Sequence, residues 1–445
     1  MTRIRIAAAM LALAAAVPAN AQLGSYNPPP GPQKTFAITN AHIVPVVGAE
    51  IERGTVVISG GKITAVGASV ATPAGAEVID AKGSYVYPGM MDAGTSMGLS
   101  EIGQGANATV DISEVGSFNP NAMAYYGINP HSAHIGVARV VGITHVVSRP
   151  TGGILSGRAA LVNMAGSTAP QMAVNRAIAT VIELPRSGFG GRGRGGFLAA
   201  QDAGNTQDVN RTRQRQLDSL KTMLRDAEAY GKAMDAYAKD KSLPRPKQDV
   251  VMASLVPAVR GQMPVIFVAD RASDIKEAVG FAEENKLRPI IMGGRDAWQI
   301  TSYLKDHDVP VVVTSVLELP SREDDPYDVN YSTPAKLAAA GVKFAITSGN
   351  GGSEVRTLPY NAGMAAAFGL SKADALKSVT LYPAQIFGVA DKFGSIEVGK
   401  VANLVVTDGD VLEAKTNTKY LFIDGRNVPL ESKHTELNDK FKDRP

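Results

Sequence analysis

Apolar and polar positions follow two different rhythms along this chain. From Phe36 the segments "FAITNAHIVPVVG", "GTVVISGGKITAVG" and "AEVIDAKGSYVYPG" carry short Val/Ile-rich runs separated by glycine-containing turns, the pattern of half-buried strands. Within them Ser59-Gly60-Gly61-Lys62 reads as a hairpin turn. The middle of the chain instead presents short, largely apolar runs, "GITHVVS", "PVIFVAD", "RPIIMGG", "VPVVVTS" and "VKFAITS", as strands buried on both faces of a parallel sheet do. Helical patterns lie between them. Ser273-Asp274 opens "IKEAVGFAEEN", Thr333-Pro334 opens "AKLAAAG" with proline in the first turn, and Ser371-x-x-Asp374 is a capping box.

Repeated strand–helix units without a Gly-rich phosphate turn predict an α/β fold with a (β/α)8 TIM-type barrel over residues 89–393. The C-terminal "GSIEVGKVANLVVTDGD" and "KYLFIDGRNV" return to short strands. Residues 36–88 and 394–428 are therefore expected to combine in one composite β-sandwich domain, because each alone has too few strands to bury a core. Residues 429–445 read as a polar tail.

Composition adds three constraints. At 445 residues, 44% hydrophobic and 20% charged, the chain can bury a large core. Its start, "MTRIRIAAAMLALAAAVPANAQ", has two arginines, an apolar run and the small-x-small site Ala19-Asn20-Ala21, which predicts a signal peptide at 1–21 and export, with the periplasm as destination. The apolar run is broken by Pro18 and is shorter than the ~20 residues of a membrane span, so no transmembrane anchor is expected after cleavage. Cleavage takes Lys+Arg from 45 to 43 against 42 acidic residues, and this near-neutral balance points to no nucleic-acid partner. Absence of cysteine excludes disulfides, thiolate metal sites and a cysteine nucleophile. Residues 22–35 read as a Pro/Gly linker and 186–197, "RSGFGGRGRGGF", as a mobile Gly/Arg-rich loop ahead of a charged helix near 211–240.

Several motifs resemble the amidohydrolase superfamily, and in particular its exported imidazolonepropionase-like members: "GKITAVG", "VIDAKGSYVYPGMMD", "PTGGILSGRAALV", "LPYNAGMAAAFGLS", "TLYPAQIFGV" and "GSIEVGKVANLVV". The resemblance implies a hydrolase of carbon–nitrogen bonds that holds Zn or another divalent metal at the C-terminal mouth of the barrel. Its ligands would be two histidines after strand one, one after each of strands five and six, and an aspartate after strand eight, often with a carboxylated lysine on strand four. Here the corresponding positions carry Gly94, Ser96, Val268, Gly293 and Gly349, and no lysine is assigned to strand four. None of these residues is a competent metal ligand, so no metal cofactor is expected.

The histidines offer no obvious replacement. His131 and His134 form an i,i+3 pair that could share a helix face or simply start a solvated helix; His145 reads as a hydrogen-bonded core residue and His307 as a solvated loop residue at the far end of the barrel. His42 falls in the β-domain and His434 in the tail. Ser96 has no identifiable histidine partner for a Ser-His-Asp set. Asp92 and Asp270 are the remaining catalytic candidates, with structural roles as the competing reading: Asp92 anchoring its loop through backbone N–H groups, Asp270 joining Arg271 in salt bridges.

The sequence thus supports an exported, metal-free pseudoenzyme acting in binding, as a homo-oligomer, or as partner subunit of an intact amidohydrolase. Two alternatives stay open: an active hydrolase of carbon–nitrogen bonds, non-peptide or dipeptide-like, using a non-standard site, and a periplasmic protein binding a small molecule or peptide at the barrel mouth.

Overall fold

The computed structural model describes residue 27 and residues 29–103, 106–185, 206–314 and 316–444. The expected signal peptide at 1–21, most of the linker start and the Gly/Arg-rich loop at 186–197 lie outside the described residues.

The N-terminal segment forms β1 (Phe36–Ile43), β2 (Ile51–Ser59), β3 (Lys62–Gly67), β4 (Glu77–Asp80) and β5 (Tyr85–Pro88). Gly60 and Gly61 join β2 to β3 at φ 58° and 80°, the left-handed conformation that a two-residue hairpin requires at both positions. The barrel follows as β6 (Met90–Thr95), β7 (Ile143–Ser148), β8 (Leu155–Asn163), β9 (Ala173–Ile182), β10 (Val265–Ala269), β11 (Pro289–Gly293), β12 (Val311–Val313) and β13 (Phe344–Ile346), hydrogen-bonded in chain order. The chain then returns to the first sheet with β14 (Leu404–Thr407), β15 (Thr418–Ile423) and β16 (Arg426–Val428), giving the order β16-β15-β14-β5-β1-β2-β3, with β4 beside β1.

Both ends of the chain are needed to bury this terminal sheet. Phe36, Ile38, Ile58 and Val86 share a core with Ile396, Leu404, Val406 and Phe422, and the Phe36 and Phe422 rings meet edge-on at 5.1 Å. Ile63 N donates to Lys400 O and Ala402 N to Gly61 O, each at 2.9 Å, so the first hairpin is held by the segment leading into β14. Gly31 N donates to Asn427 O at 2.9 Å, which docks the end of the linker against β16.

One strand departs from the expected barrel pattern. β8 runs antiparallel to both β7 and β9, whereas the other barrel neighbours are parallel. The reason is chain length: residues 149–154 and 164–172 are too short for the crossover of about a dozen residues that a parallel connection needs. Inside, Met91, Ala93, Val147, Leu161, Ile266, Met292, Val312 and Ala345 fill the barrel, and Ile386, Phe387 and Phe393 close its N-terminal end.

Two helix starts differ from the sequence expectation. The helix expected to open at Thr333-Pro334 spans Val329–Ala340, with Pro334 inside it. Asn330 anchors its first turn by donating to Glu318 O (2.9 Å) and Leu319 O (3.0 Å), and this tertiary anchoring offsets the backbone bond that proline removes. The helix expected at Ser273-Asp274 spans Ala272–Glu284 and follows Arg271, which makes no side-chain cap. Ser371 does cap the helix Lys372–Ser378, accepting from Asp374 N at 3.0 Å, but the Asp374 carboxylate accepts from the Ser371 hydroxyl and not from the backbone N–H. The charged helix spans Thr206–Lys239 and buries Leu217, Leu220, Leu224 and Ala227. The tail carries a helix, Lys433–Phe441, capped by Ser432.

His145 sits on β7 at 1% exposure, hydrogen-bonded to Thr144 Oγ1 at 2.6 Å, with its ring 4.7 Å from that of Phe393. Burial lowers its pKa from 6.5 to about 3. A base whose folded pKa lies below its unfolded value stabilises the fold above the unfolded value, and that stability is lost as pH falls through the interval. At about 1.4 kcal/mol per unit, lowering pH from 7 to 4 should cost about 3 kcal/mol through this residue. Urea titrations of wild type and His145→Gln at both pH values check this: the variant should lose clearly less, and parallel losses would refute it.

Candidate functional site

The C-terminal mouth of the barrel is organised around β6, whose residues "MMDAGT" are all buried. Its register with β7 breaks between Asp92 and Thr95. Asp92 is fully buried. Its Oδ1 accepts from Gly94 N (3.2 Å) and from the Thr347 hydroxyl, and its Oδ2 accepts from Ser348 N (3.2 Å) and the Ser348 hydroxyl. Burial pushes the Asp92 carboxyl up from its ordinary pKa, and these hydrogen bonds hold it back only in part. Thr347 and Ser348 directly follow β13, so Asp92 fastens the first barrel strand to the last.

Beyond Asp92 the same two strand ends stay in contact. Ser96 N donates to Asn350 O at 3.0 Å, and the Thr95 hydroxyl to Gly351 O at 3.4 Å. Arg149 follows β7; its N donates to Thr95 O at 2.9 Å and its guanidinium to Asn350 Oδ1. It is 4% exposed, and burial lowers its pKa to about 10 against the upward pull of Glu183 and Asp92.

Three glycine positions are closed by neighbours. A Cβ on Gly94 would stand 2.4 Å from Met292 Cε, 2.8 Å from Met292 Sδ and 3.8 Å from Arg149 Nε. Gly293, at φ 116°, would place a Cβ 2.5 Å from Asp270 Oδ1 and 2.8 Å from Ala269 O. Gly349, at φ 122°, would place one 2.5 Å from Glu354 Oε2. Val268 points into the apolar filling of the barrel, beside Met292 in the β10–β11 register. Asp270 Oδ1 lies 3.9 Å from Arg295 Nε, so one ion-pair partner of this carboxylate comes from the loop after β11.

Comparison with known proteins agrees with this architecture. Residues 304–428 match the model of the amidohydrolase family. An amidohydrolase from Thermotoga maritima is similar at 26% identity and TM-score 0.78, covering 88% of this chain and 99% of its own. Together these matches support the amidohydrolase superfamily for this chain. Two further solved structures share the fold: a prolidase complexed with N-methylphosphonate-L-proline (18% identity, TM-score 0.54, 88% of this chain and 99% of that one) and molinate hydrolase (17%, 0.55, 89% and 95%). No curated protein is matched by the sequence.

The described residues at the mouth of this barrel do not fit a divalent metal. The space before Gly94 is held by a thioether and bordered by a guanidinium, a cation that repels another cation. Both oxygens of Asp92 are already engaged. Among the described residues, no three His, Cys, Asp or Glu side chains gather as a ligand set. His131 precedes the N-cap Ser132 of the helix Ala133–Arg139, while His134 lies in its first turn with Nε2 3.2 Å from Glu101 O, so the pair shares no helix face. His42 pairs with Glu50 at 2.8 Å, His307 pairs with Glu283 beyond the helix Thr301–Asp306, and His434 lies in the tail helix.

Arg149 and Met292 were not among the sequence candidates. Only Arg149 left a signal there, as a charged residue directly after the buried run "THVVS". Met292 reads in sequence as one more barrel-filling apolar residue.

Proposed function

We propose that this protein is a metal-free amidohydrolase-fold protein that acts by binding at its barrel mouth and not by hydrolysis, after export through residues 1–21. One observation carries the reading: the space that a metal-ligating side chain at position 94 would enter is occupied by Met292 and bordered by Arg149. Ordinary water keeps a pKa near roughly 15.7, against roughly 7 when bound to a catalytic metal, so hydroxide is scarce at neutral pH. The chain has no cysteine, and among the described residues Asp92 is sealed by its hydrogen bonds and Ser96 has no histidine assigned to it as a base. Pairing with an intact amidohydrolase is compatible with this role, because a barrel without catalysis can still supply an interface.

Plasma mass spectrometry of the protein purified without a metal-capturing tag tests the proposal. No stoichiometric Zn, Mn or Fe is expected, and no hydrolysis of amide, lactam or dipeptide substrates. About one ion per chain that survives dialysis, together with chelator-sensitive turnover, would overturn the reading.

A further inference from the structure

We propose that Arg149 is the anion-recognition group of the mouth, sealed by Met292, and that displacement of the Met292 thioether opens a site for the carboxylate of a small organic acid. The inference rests on the metal-free reading and assigns that reading a ligand class.

The argument begins with an unusual side chain. Arg149 is 4% exposed, yet its Nε has no hydrogen-bond partner among the described residues. The side-chain partner of its guanidinium is the neutral amide of Asn350. A buried guanidinium is normally held by a carboxylate whose two oxygens match its planar fork. The charges of Glu183 and Asp92 both act on Arg149, but its guanidinium donates to Asn350, and the oxygens of Asp92 are bound by Gly94, Thr347 and Ser348. The fold therefore holds a cation with an unused donor, at the end of the barrel where this architecture places ligands.

What stands beside that donor is adjustable. Met292 Cε and Sδ occupy the space next to Gly94, and Arg149 Nε borders the same space. Methionine is unbranched and has three rotatable side-chain bonds, so its end can leave this space without moving the backbone of β11. Asn350 is exposed while its side chain reaches the guanidinium, so a polar path runs from solvent to Arg149. A carboxylate entering along that path would satisfy Nε with a direct, charge-assisted hydrogen bond, and its apolar body would lie against the surface that Met292 vacates.

Calorimetric titration of the full chain in EDTA tests this with benzoate, its neutral isostere benzamide, and acetate. Met292→Ala should bind benzoate at least tenfold more tightly than wild type, acetate should gain in the same direction, and benzamide should gain little. Adding Arg149→Gln to Met292→Ala should remove the benzoate gain; should that double variant fail to fold, Met292→Ala/Arg149→Lys keeps the charge without the planar fork and should lose most of the gain. Equal gains for benzamide and benzoate would show only an apolar cavity and overturn the proposal, as would no gain in metal-free protein. Benzoate binding that disappears in EDTA, with a stoichiometric metal found by plasma mass spectrometry, would instead overturn the metal-free reading itself.

Discussion

Replacing Asp92 with alanine is expected to cost about 3–5 kcal/mol of folding stability, the range for breaking a fully buried polar network by removing one partner. The carboxylate accepts from two backbone N–H groups and two hydroxyls, and no water reaches them to take its place. These donors belong to the first and last barrel strands, so the loss falls where the barrel closes. Urea denaturation should show a lower midpoint with an unchanged slope, and a loss under about 1 kcal/mol would mean that closure depends on packing alone. Asp270→Ala, at a partly exposed ion pair 3.9 Å long, should cost less than about 1 kcal/mol and serves as the control. The sign of the pH effect follows from burial. Because the Asp92 pKa is raised above 3.8, the neutral form is the favoured one in the fold, and its contribution is fully present at low pH and is lost as pH rises through the raised value. The stability gap between wild type and Asp92→Asn should accordingly narrow as pH increases.

The second large effect concerns any attempt to restore a metal site. Gly293→His should destabilise by about 3–5 kcal/mol and bind no zinc, because a left-handed backbone at a non-glycine residue and overpacking of a closed site each cost about 1–3 kcal/mol. The obstacle is partly backbone: Gly293 has φ 116°, and Ala269 O would lie 2.8 Å from the new Cβ and has nowhere to move. Gly94→Ala is different, since what it meets is the flexible end of Met292, and it should cost less than about 1.5 kcal/mol. Denaturation midpoints for the two variants, with zinc measured after dialysis, separate these cases. A stable, zinc-loaded Gly293→His protein would mean that the mouth still accommodates the ligand geometry of its superfamily.

Much of the framework was legible in the residue pattern. The paired glycines at 60 and 61 specified a tight hairpin because few other residues adopt positive φ there in succession. The apolar runs at β7 and β10 to β13 marked strands buried on both faces, and His145 within such a run was readable as a core residue. At the site, the absence of histidines from positions 94, 268 and 293 was visible without coordinates. Where tertiary contacts overrode a local signal the reading failed. Thr333-Pro334 carries a helix-start signature, yet Asn330 anchors the helix a turn earlier through carbonyls of a preceding loop.

Taken alone, then, the sequence determined the alternation of strands and helices, the dependence of the terminal sheet on both chain ends, and the residue types at positions 94, 96, 268, 293 and 349, none of them histidine. These follow from local periodicity and residue chemistry, which neighbouring positions specify. Tertiary structure alone decided that β8 runs antiparallel, that Asp92 joins β6 to the residues after β13, and that Met292 and Arg149 close the space at Gly94. Asp92 and Ser348 are 256 residues apart, and Arg149 and Asn350 are 201 apart, distances over which no local pattern carries information. Only closure of the barrel brings these groups within hydrogen-bonding reach, and the removal of water there makes each partner consequential.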